Sequence, residues 1–275
     1  MILGGKLVRA AAASTIVGFA VVAPATARDD GVKIGQPSYL RNLVSAEKLE
    51  VAAASQYVAL TDAATKKGVL ADESDPQLER LRRISADLLP FTEKFNSRAK
   101  DWAWRVNLIK APQVNAFCMP GGKIVFYSGI IERLKLTDDE IAMIMGHEVA
   151  HALREHARER AAKSTLTNLG ALALSVLVGG GAGDLAQVGG GLMNLKFSRD
   201  DESEADLIGM ELAARAGYDP RASVTLWNKM ADVAKSGPPA WLSTHPAGPA
   251  RIKNIEANLP DVVPLYEAAK KDKKS

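Results

Sequence analysis

The sequence feature that most constrains this chain is the segment HEVAH at residues 147–151, which places two histidines four positions apart. Each residue of an α-helix turns by about 100°, so on a helix His147 and His151 lie about 40° apart and one turn apart along the axis. Both imidazoles can then bind one metal ion, while the Glu148 carboxylate can reach a water on that ion without binding the ion itself. The alternative interpretation is an amphipathic helix that carries polar surface residues.

The residues around this segment predict that it lies within a helix. Thr137 and Glu140 form a capping box, a hydroxyl residue followed three positions later by a glutamate, which predicts a helix over 138–160. His156 is nine positions from His147, about 180° round such a helix. We therefore expect His156 to be a surface or structural residue that faces away from the metal.

A catalytic zinc site usually has a third protein ligand, which the rest of the sequence must supply. Ten residues after His147, where a third histidine follows in one compact arrangement, the residue is Ala157. Between Glu159 and Glu202 there is no glutamate. The first candidates for the third ligand are therefore Glu202 and Glu204.

Helix geometry separates these two candidates. Glu202 and Glu204 lie about 200° apart on a helix, so only one can face the metal, and Asp206 shares the face of Glu202. A zinc-bound histidine usually donates its other ring N–H to a carboxylate. We therefore expect Glu202 to be the third ligand and Asp206 to accept a hydrogen bond from a ligand histidine. Without the HExxH segment, the same acidic run would indicate only a solvated helix start.

The remaining patterns predict an α+β domain that is mostly helical. Apolar spacing indicates helices over about 40–67 and 75–89, and alternation indicates short strands near 102–109, 114–119 and 123–128. The Pro-Gly-Gly connection between the last two strands predicts a tight turn. We therefore expect a small three-stranded antiparallel sheet beside the HExxH helix.

The N-terminal composition predicts export. Lys6 and Arg9 precede a mildly apolar run, and small residues lead up to Ala27, so residues 1–27 are expected to be a signal peptide that is cleaved after Ala27. The alternative is a short membrane anchor, although the run is short for a span. The expected location is a bacterial periplasm.

Charge and cysteine content exclude other classes of site. The formal net charge is +3, and removing Lys6 and Arg9 leaves +1, which gives no electrostatic case for binding nucleic acid. Cys118 is the single cysteine, so an internal disulfide cannot form. We expect Cys118 to be a small buried hydrophobic residue on the sheet.

Together these motifs resemble the gluzincin zinc metallopeptidases of the HtpX and CAAX-prenyl-protease type, and in particular periplasmic single-domain members of the LoiP and BepA kind. HExxH followed by Glu-x-x-x-Asp carries the resemblance. The segments NAFCMPGGKIVFYSGII at 115–131, SRDDESEAD at 198–206 and STHPAGPARI at 243–252 extend it. The sequence shows no long helical repeat region as in BepA and no lipid-bearing cysteine as in LoiP, so the partners of those proteins are not carried over.

The resemblance implies a zincin-like fold with one Zn²⁺ per chain, held by His147, His151 and Glu202. It also implies hydrolysis of peptide bonds by a zinc-activated water with Glu148 as the general base. The domain is expected to cover 39–265, with a helical lead over 39–100 and a catalytic core over 101–256. A flexible lead over 28–38 and a basic flexible tail over 266–275 are expected to flank it.

The resemblance also nominates His245 and Arg251 as active-site residues that stabilise the developing oxyanion. A second hypothesis for His245 is that it occupies the open zinc position and silences the enzyme until substrate displaces it. The strand at Asn115, Ala116 and Phe117 is the expected substrate-binding strand, because an extended peptide can add to a sheet edge.

The expected function is therefore a zinc endopeptidase of the cell envelope that cleaves unfolded or misassembled polypeptides. One alternative is a latched or non-cleaving, chaperone-like zinc protein that binds such polypeptides. Another is a membrane-surface protein with peripheral contact through 166–178. The sequence does not indicate an oligomeric state or a cleavage preference.

Overall fold

A computed structural model describes residues 31–167 and 196–273, apart from 236, 238 and 247. The predicted signal peptide at 1–27 and most of the segment at 166–178 lie outside these residues. Within the part of the chain that the structure describes, no helix is both long and apolar enough to cross a membrane.

The described residues form a mostly helical α+β fold with one small sheet, as the sequence predicted. The helices are α1 (Ala46–Lys66), α2 (Pro76–Leu88), α3 (Ser128–Leu134), α4 (Asp138–Leu153), α5 (His156–Thr167), α6 (Arg199–Arg215), α7 (Ala222–Ala234), α8 (Ala240–Thr244) and α9 (Pro249–Asp272). The strands are β1 (Arg105–Ile109), β2 (Ala116–Met119) and β3 (Lys123–Tyr127). Three short 3-10 helices span Tyr39–Leu43, Leu89–Lys94 and Ser97–Asp101.

The sheet is mixed, so the prediction of a purely antiparallel sheet is wrong. Its strand order is β1-β3-β2, in which β3 is antiparallel to β2 and parallel to β1. The predicted tight turn joins β2 to β3, and both Gly121 and Gly122 have positive φ there. The connection over 110–115 instead passes across the end of the sheet. Strand β3 therefore takes the central position between β1 and β2. Alternation and loop length alone do not reveal such a crossing.

Helix α4 is the centre of the core. Its predicted capping box is present, because the Thr137 side chain accepts from the Glu140 N–H and the Glu140 side chain accepts from the Thr137 N–H. Nearly every residue of α4 is buried. The helix packs against β2 on one side and against α2, α6 and α7 on others. The HExxH segment therefore lies inside the molecule, and the interpretation as a polar surface helix is wrong.

The predicted helix over 138–160 is interrupted. Helix α4 ends at Leu153, whose carbonyl oxygen accepts a hydrogen bond of 2.8 Å from Asn96 Nδ2. Glu155 then has a φ of 57°, the left-handed conformation, and α5 starts at His156 as a separate helix. The predicted orientation of His156 depended on an unbroken helix and does not hold.

Both ends of the described chain are tied to the body. In the predicted flexible lead, the Val32 N–H donates to the buried Glu211 carboxylate at 2.8 Å. Helix α9 continues to Asp272, so residues 266–272 of the predicted flexible tail are helical. Lys273 Nζ then donates to the Ala216 carbonyl oxygen at 2.8 Å, which holds this end of α9 against the end of α6.

Helices α4 and α6 cross at two glycines. A Cβ atom added to Gly209 would lie 2.6 Å from the His147 nitrogen, and one added to Gly146 would lie 2.7 Å from the Gly209 carbonyl oxygen. Both distances are well inside van der Waals contact, so only glycine lets the two backbones approach this closely. This crossing brings the first turns of α6 beside the histidines of α4.

We expect Gly209→Ala to lower the free energy of unfolding by about 2 kcal/mol. Overpacking costs about 1–3 kcal/mol, and the better helix propensity of alanine returns only up to about 1 kcal/mol. Urea unfolding followed by circular dichroism measures this difference. The matched control is Gly35→Ala, since an added Cβ there meets no atom within 4 Å. Equal stability of both variants would contradict the close crossing.

Candidate metal centre

Four buried side chains converge at the crossing of α4 and α6. They are His147 and His151 on α4, Glu202 in the first turns of α6, and His245 directly after α8, and their ligand atoms all lie within 4.8 Å of one another. The structure thus brings together the three ligands expected from the sequence. It adds His245, which the sequence analysis had nominated either as an oxyanion donor or as an occupant of the open zinc position.

The spacing of these donors fits a tetrahedral ion. His147 Nε2 lies 3.1 Å from His151 Nε2 and 3.2 Å from His245 Nδ1. The Glu202 carboxylate oxygens lie 3.5 Å and 3.6 Å from the Nε2 atoms of His147 and His151. An ion bound by nitrogen at about 2.0–2.1 Å in tetrahedral geometry separates its nitrogen ligands by about 3.3–3.4 Å. Three imidazoles and one carboxylate at these distances fit Zn²⁺, which is the cofactor of this centre.

Asp206 and Arg251 support one side of the centre. Asp206 Oδ1 lies 3.0 Å from His147 Nδ1, which is the arrangement expected for a zinc-bound histidine. Arg251 donates to both oxygens of Asp206 at 2.7 Å and approaches Glu202 Oε2 at 2.6 Å. The guanidinium of Arg251 therefore holds the two carboxylates in place. Its nominated role as an oxyanion donor remains a prediction.

The pKa values of the ligand side chains are those of a site that favours a cation. Burial lowers the pKa of His147, but its contacts with Asp206 and Glu202 outweigh burial and raise that pKa to about 9. Burial and the neighbouring imidazoles and Arg251 hold the pKa of His151 well below its usual value. Burial would raise the pKa of Glu202, but its contacts with His147 and His245 hold it far below the usual range. A cation at this centre would therefore meet an ionised carboxylate, and binding through His147 would require the loss of its proton.

Glu148 lies beside the four ligands and is itself buried. Its Oε1 accepts a hydrogen bond of 2.6 Å from Trp241 Nε1 and lies 3.5 Å from His245 Nε2. The Trp241 ring also stacks on the His245 ring, with centroids 4.8 Å apart. Trp241 was not predicted from the sequence as part of the site. The available signal was its position four residues before His245, which places the two side chains one helical turn apart.

Phe197 and strand β2 form the walls of the centre. The Phe197 ring stacks on His151 with centroids 3.9 Å apart, a contact that the sequence analysis also missed. The predicted substrate-binding residues Asn115, Ala116 and Phe117 line one cleft together with Glu148, His151 and His245. Since β2 is an outer strand of the sheet, an extended peptide in this cleft would meet a strand edge.

Cys118 also lines this cleft and is half-buried, so the prediction of a buried position is corrected. The thiol sits on the face of β2 toward the cleft, where burial raises its pKa well above the usual value. A thiol that stays protonated is a weak nucleophile. Cys118 is therefore part of the cleft wall rather than a reactive group.

His156 lies beside the metal centre, and the prediction that it faces away from the metal is wrong. Because the chain turns at Glu155, the imidazole of His156 is buried against His151, with their Nδ1 atoms 2.9 Å apart. Its Nε2 lies 2.9 Å from Glu204 Oε2. Glu204, the rejected candidate for the third ligand, therefore contacts the centre through His156.

Comparison with known proteins identifies relatives of this site. Residues 76–259 match Peptidase family M48, which covers the sheet, the HExxH helix and all four ligands. The chain is 40% identical over 159 residues to the mitochondrial metalloendopeptidase OMA1 of Arabidopsis thaliana, covering 57% of this chain and 32% of the relative. It is 33% identical over 180 residues to the mitochondrial metalloendopeptidase OMA1 of Saccharomyces cerevisiae, covering 62% and 52%.

A bacterial relative is similar over a stretch of comparable length. The beta-barrel assembly-enhancing protease of Escherichia coli is 29% identical over 179 residues, covering 60% of this chain and 36% of the relative. The match to these three relatives spans about one third to one half of their length.

We expect Asp206→Asn to weaken zinc binding about tenfold to a hundredfold, because His147 loses its carboxylate partner and Arg251 loses its bidentate contact. Competition with a chromophoric chelator measures the zinc affinity, and circular dichroism verifies the fold. Asp200→Asn is the matched control, since Asp200 is an exposed residue in the first turn of the same helix. Wild-type affinity in both variants would mean that Asp206 does not support the ligand.

Proposed function

The chain belongs to Peptidase family M48, and we propose that it is a zinc-dependent endopeptidase. One observation carries this proposal: Glu148, buried and fixed by Trp241, lies directly beside four ligands that fit Zn²⁺. A general base next to an electrophilic ion is the arrangement that hydrolysis of an amide requires. Without Glu148, the same four ligands would suit a structural zinc site.

His147, His151 and Glu202 would hold the ion during catalysis. When bound, zinc supplies Lewis acidity, which lowers the pKa of water and polarises a carbonyl group. Glu148 takes the proton of the attacking water and delivers it to the leaving amine. The hydrogen bond from Trp241 to Oε1 leaves Oε2 as the oxygen of Glu148 that is available for this transfer.

Strand β2 supports an extended polypeptide as the substrate. As an outer strand, β2 has one edge that does not pair with β3, and the strand borders the cleft that contains Glu148 and His151. Main-chain hydrogen bonds recognise an extended backbone and tolerate many side chains. A substrate must therefore present an unfolded segment, which favours unfolded or misassembled proteins as the substrate class.

The location and partners belong to the same proposal. The composition of residues 1–27 supports export to the cell envelope. The beta-barrel assembly-enhancing protease of Escherichia coli supports a substrate among envelope proteins. The OMA1 relatives are mitochondrial by name, so similarity alone does not assign a compartment. Peripheral membrane contact through 166–178 is tested by co-sedimentation of the purified chain with liposomes.

We expect Glu148→Gln to abolish cleavage of an unfolded protein such as casein while one zinc ion per chain is retained. The glutamine amide has about the size of the glutamate carboxylate and keeps the contact with Trp241. It cannot take the proton of the attacking water. Gel electrophoresis follows cleavage, and metal analysis counts zinc. Glu159→Gln is the control, because Glu159 is a buried glutamate on α5 that does not contribute to the ligand cluster.

A chelator-treated sample completes this test. Loss of cleavage on chelation and its return with zinc would establish a metal-dependent activity. If the wild-type chain holds one zinc ion and cleaves nothing, the chaperone-like alternative is favoured, and binding of unfolded protein becomes the activity to measure.

His245 gives the proposed enzyme a closed state. Its Nδ1 lies 3.0 Å from Glu202 Oε1 and 3.2 Å from His147 Nε2, so it takes the fourth position of the centre. Its Nε2 faces Glu148. A catalytic zinc site keeps one position open for water or substrate. We infer that His245 must leave this position before a peptide can bind.

We expect His245→Ala to raise the rate of casein cleavage about tenfold at saturating zinc, because removing a competing ligand increases the fraction of competent sites. Thr244→Ala is the control, since the Thr244 hydroxyl donates within α8 to the Trp241 carbonyl oxygen. A rate below that of wild type, with zinc retained, would instead assign His245 a catalytic role.

A further inference from the structure

Both ligand histidines of α4 have a partner on the side away from the ion, but only one partner is a carboxylate. His147 contacts Asp206 directly. His151 contacts a second imidazole, that of His156, which in turn contacts Glu204. We propose that His156 and Glu204 are positioning residues that fix His151 in its zinc-binding form.

The hydrogen-bond partners allow one arrangement of protons when zinc is bound. His151 faces the other ligands with Nε2, so a ligand His151 carries its proton on Nδ1. That N–H meets His156 Nδ1 at 2.9 Å, which must then be the acceptor. The proton of His156 therefore lies on Nε2, where it is donated to Glu204 Oε2 at 2.9 Å. In that arrangement each polar atom of this row, which runs from His151 through His156 to Glu204, has a partner.

The outer end of the row is also fixed. Arg154 Nη2 donates to Glu204 Oε1 at 2.7 Å and to the Gly35 carbonyl oxygen at 2.6 Å. His156 and Arg154 are buried, whereas Glu204 is partly exposed. Arg154 thus holds Glu204 as Arg251 holds Asp206. Each ligand histidine of α4 is therefore connected to a carboxylate of α6 that an arginine fixes, His147 directly and His151 through His156.

The turn between α4 and α5 places His156 in position for this row of hydrogen bonds. Arg154 closes α4, Glu155 has the left-handed conformation, and His156 begins α5. Glu155 is held there by Arg158, which donates to both of its carboxylate oxygens at 3.0 Å and 2.9 Å. A continuous helix would carry His156 to the opposite side. The interruption of the helix is what places His156 behind His151.

This inference rests on the zinc site of the proposed function but not on peptide cleavage. Zinc binding can be measured without any substrate, so failure of the endopeptidase proposal leaves it testable. If no zinc binds to the wild-type chain, the proposed function fails first. If zinc binds normally but the variants below behave like wild type, only the positioning role fails.

The test is the affinity of the metal-free chain for Zn²⁺, measured by competition with a chromophoric chelator. His156→Leu removes the acceptor from His151, and we expect the affinity to fall about tenfold to a hundredfold. His156→Asn places an amide oxygen near the position of Nδ1, so it should recover much of that loss. Glu204→Gln removes the charge at the end of the row and should give a smaller loss.

Co²⁺ provides a second readout, because its visible absorption reports the geometry of the ligands. We expect a shifted and weaker band for His156→Leu and a band close to that of wild type for His156→Asn. A residue that only stabilises the fold would lower the melting temperature without this rescue. Glu159→Gln is the matched control for Glu204→Gln, since Glu159 is a neighbouring glutamate on α5 that pairs with Lys163.

Three outcomes decide the proposal. Weaker zinc binding in His156→Leu with recovery in His156→Asn supports it. Zinc affinity within twofold of wild type in both a folded His156→Leu and Glu204→Gln overturns it. If His156→Leu does not fold, His156→Asn and Glu204→Gln decide, and a Glu204→Gln affinity equal to that of Glu159→Gln overturns the role of the row.

Discussion

The backbone contact between Gly146 and Gly209 is the constraint on which the rest of this structure depends. Helices with ordinary side chains at their crossing are held about 8–10 Å apart. Two glycines remove that spacing and let the start of α6 reach the histidines of α4. The Glu202 carboxylate oxygens then lie 3.5 Å and 3.6 Å from the Nε2 atoms of His147 and His151.

Burial explains why the centre contains so many paired charges. An ionised carboxylate that is removed from water must find compensating partners. Glu202 and Asp206 find them in Arg251 and the ligand histidines, and Glu204 finds them in Arg154 and His156. These pairs fix the rings of His147 and His151 from the side away from the ion. These contacts orient the ligand rings that would hold zinc.

The sequence predicts the parts of this site that depend on local spacing. Two histidines one turn apart, and a glutamate that shares a helix face with an aspartate, follow from the angle of 100° per residue. The capping box at Thr137 likewise follows from local chemistry. Elements that depend on tertiary contacts were not predictable: the central position of β3, the end of α4 at Leu153, and the indole of Trp241 on Glu148. The left-handed conformation of Glu155 is another feature that was not predictable, because no glycine marks that turn in the sequence.

Helix α8 and the residue that follows it make two contacts with the site. Trp241 at its start donates to the base, and His245 just after its end takes the fourth position of the centre. The two rings stack on each other, so a shift of the His245 ring changes the packing of the Trp241 ring. A departure of His245 that carried Trp241 with it would also remove the hydrogen bond that fixes Glu148. The stacked pair therefore couples the occupant of the fourth position to the orientation of the base.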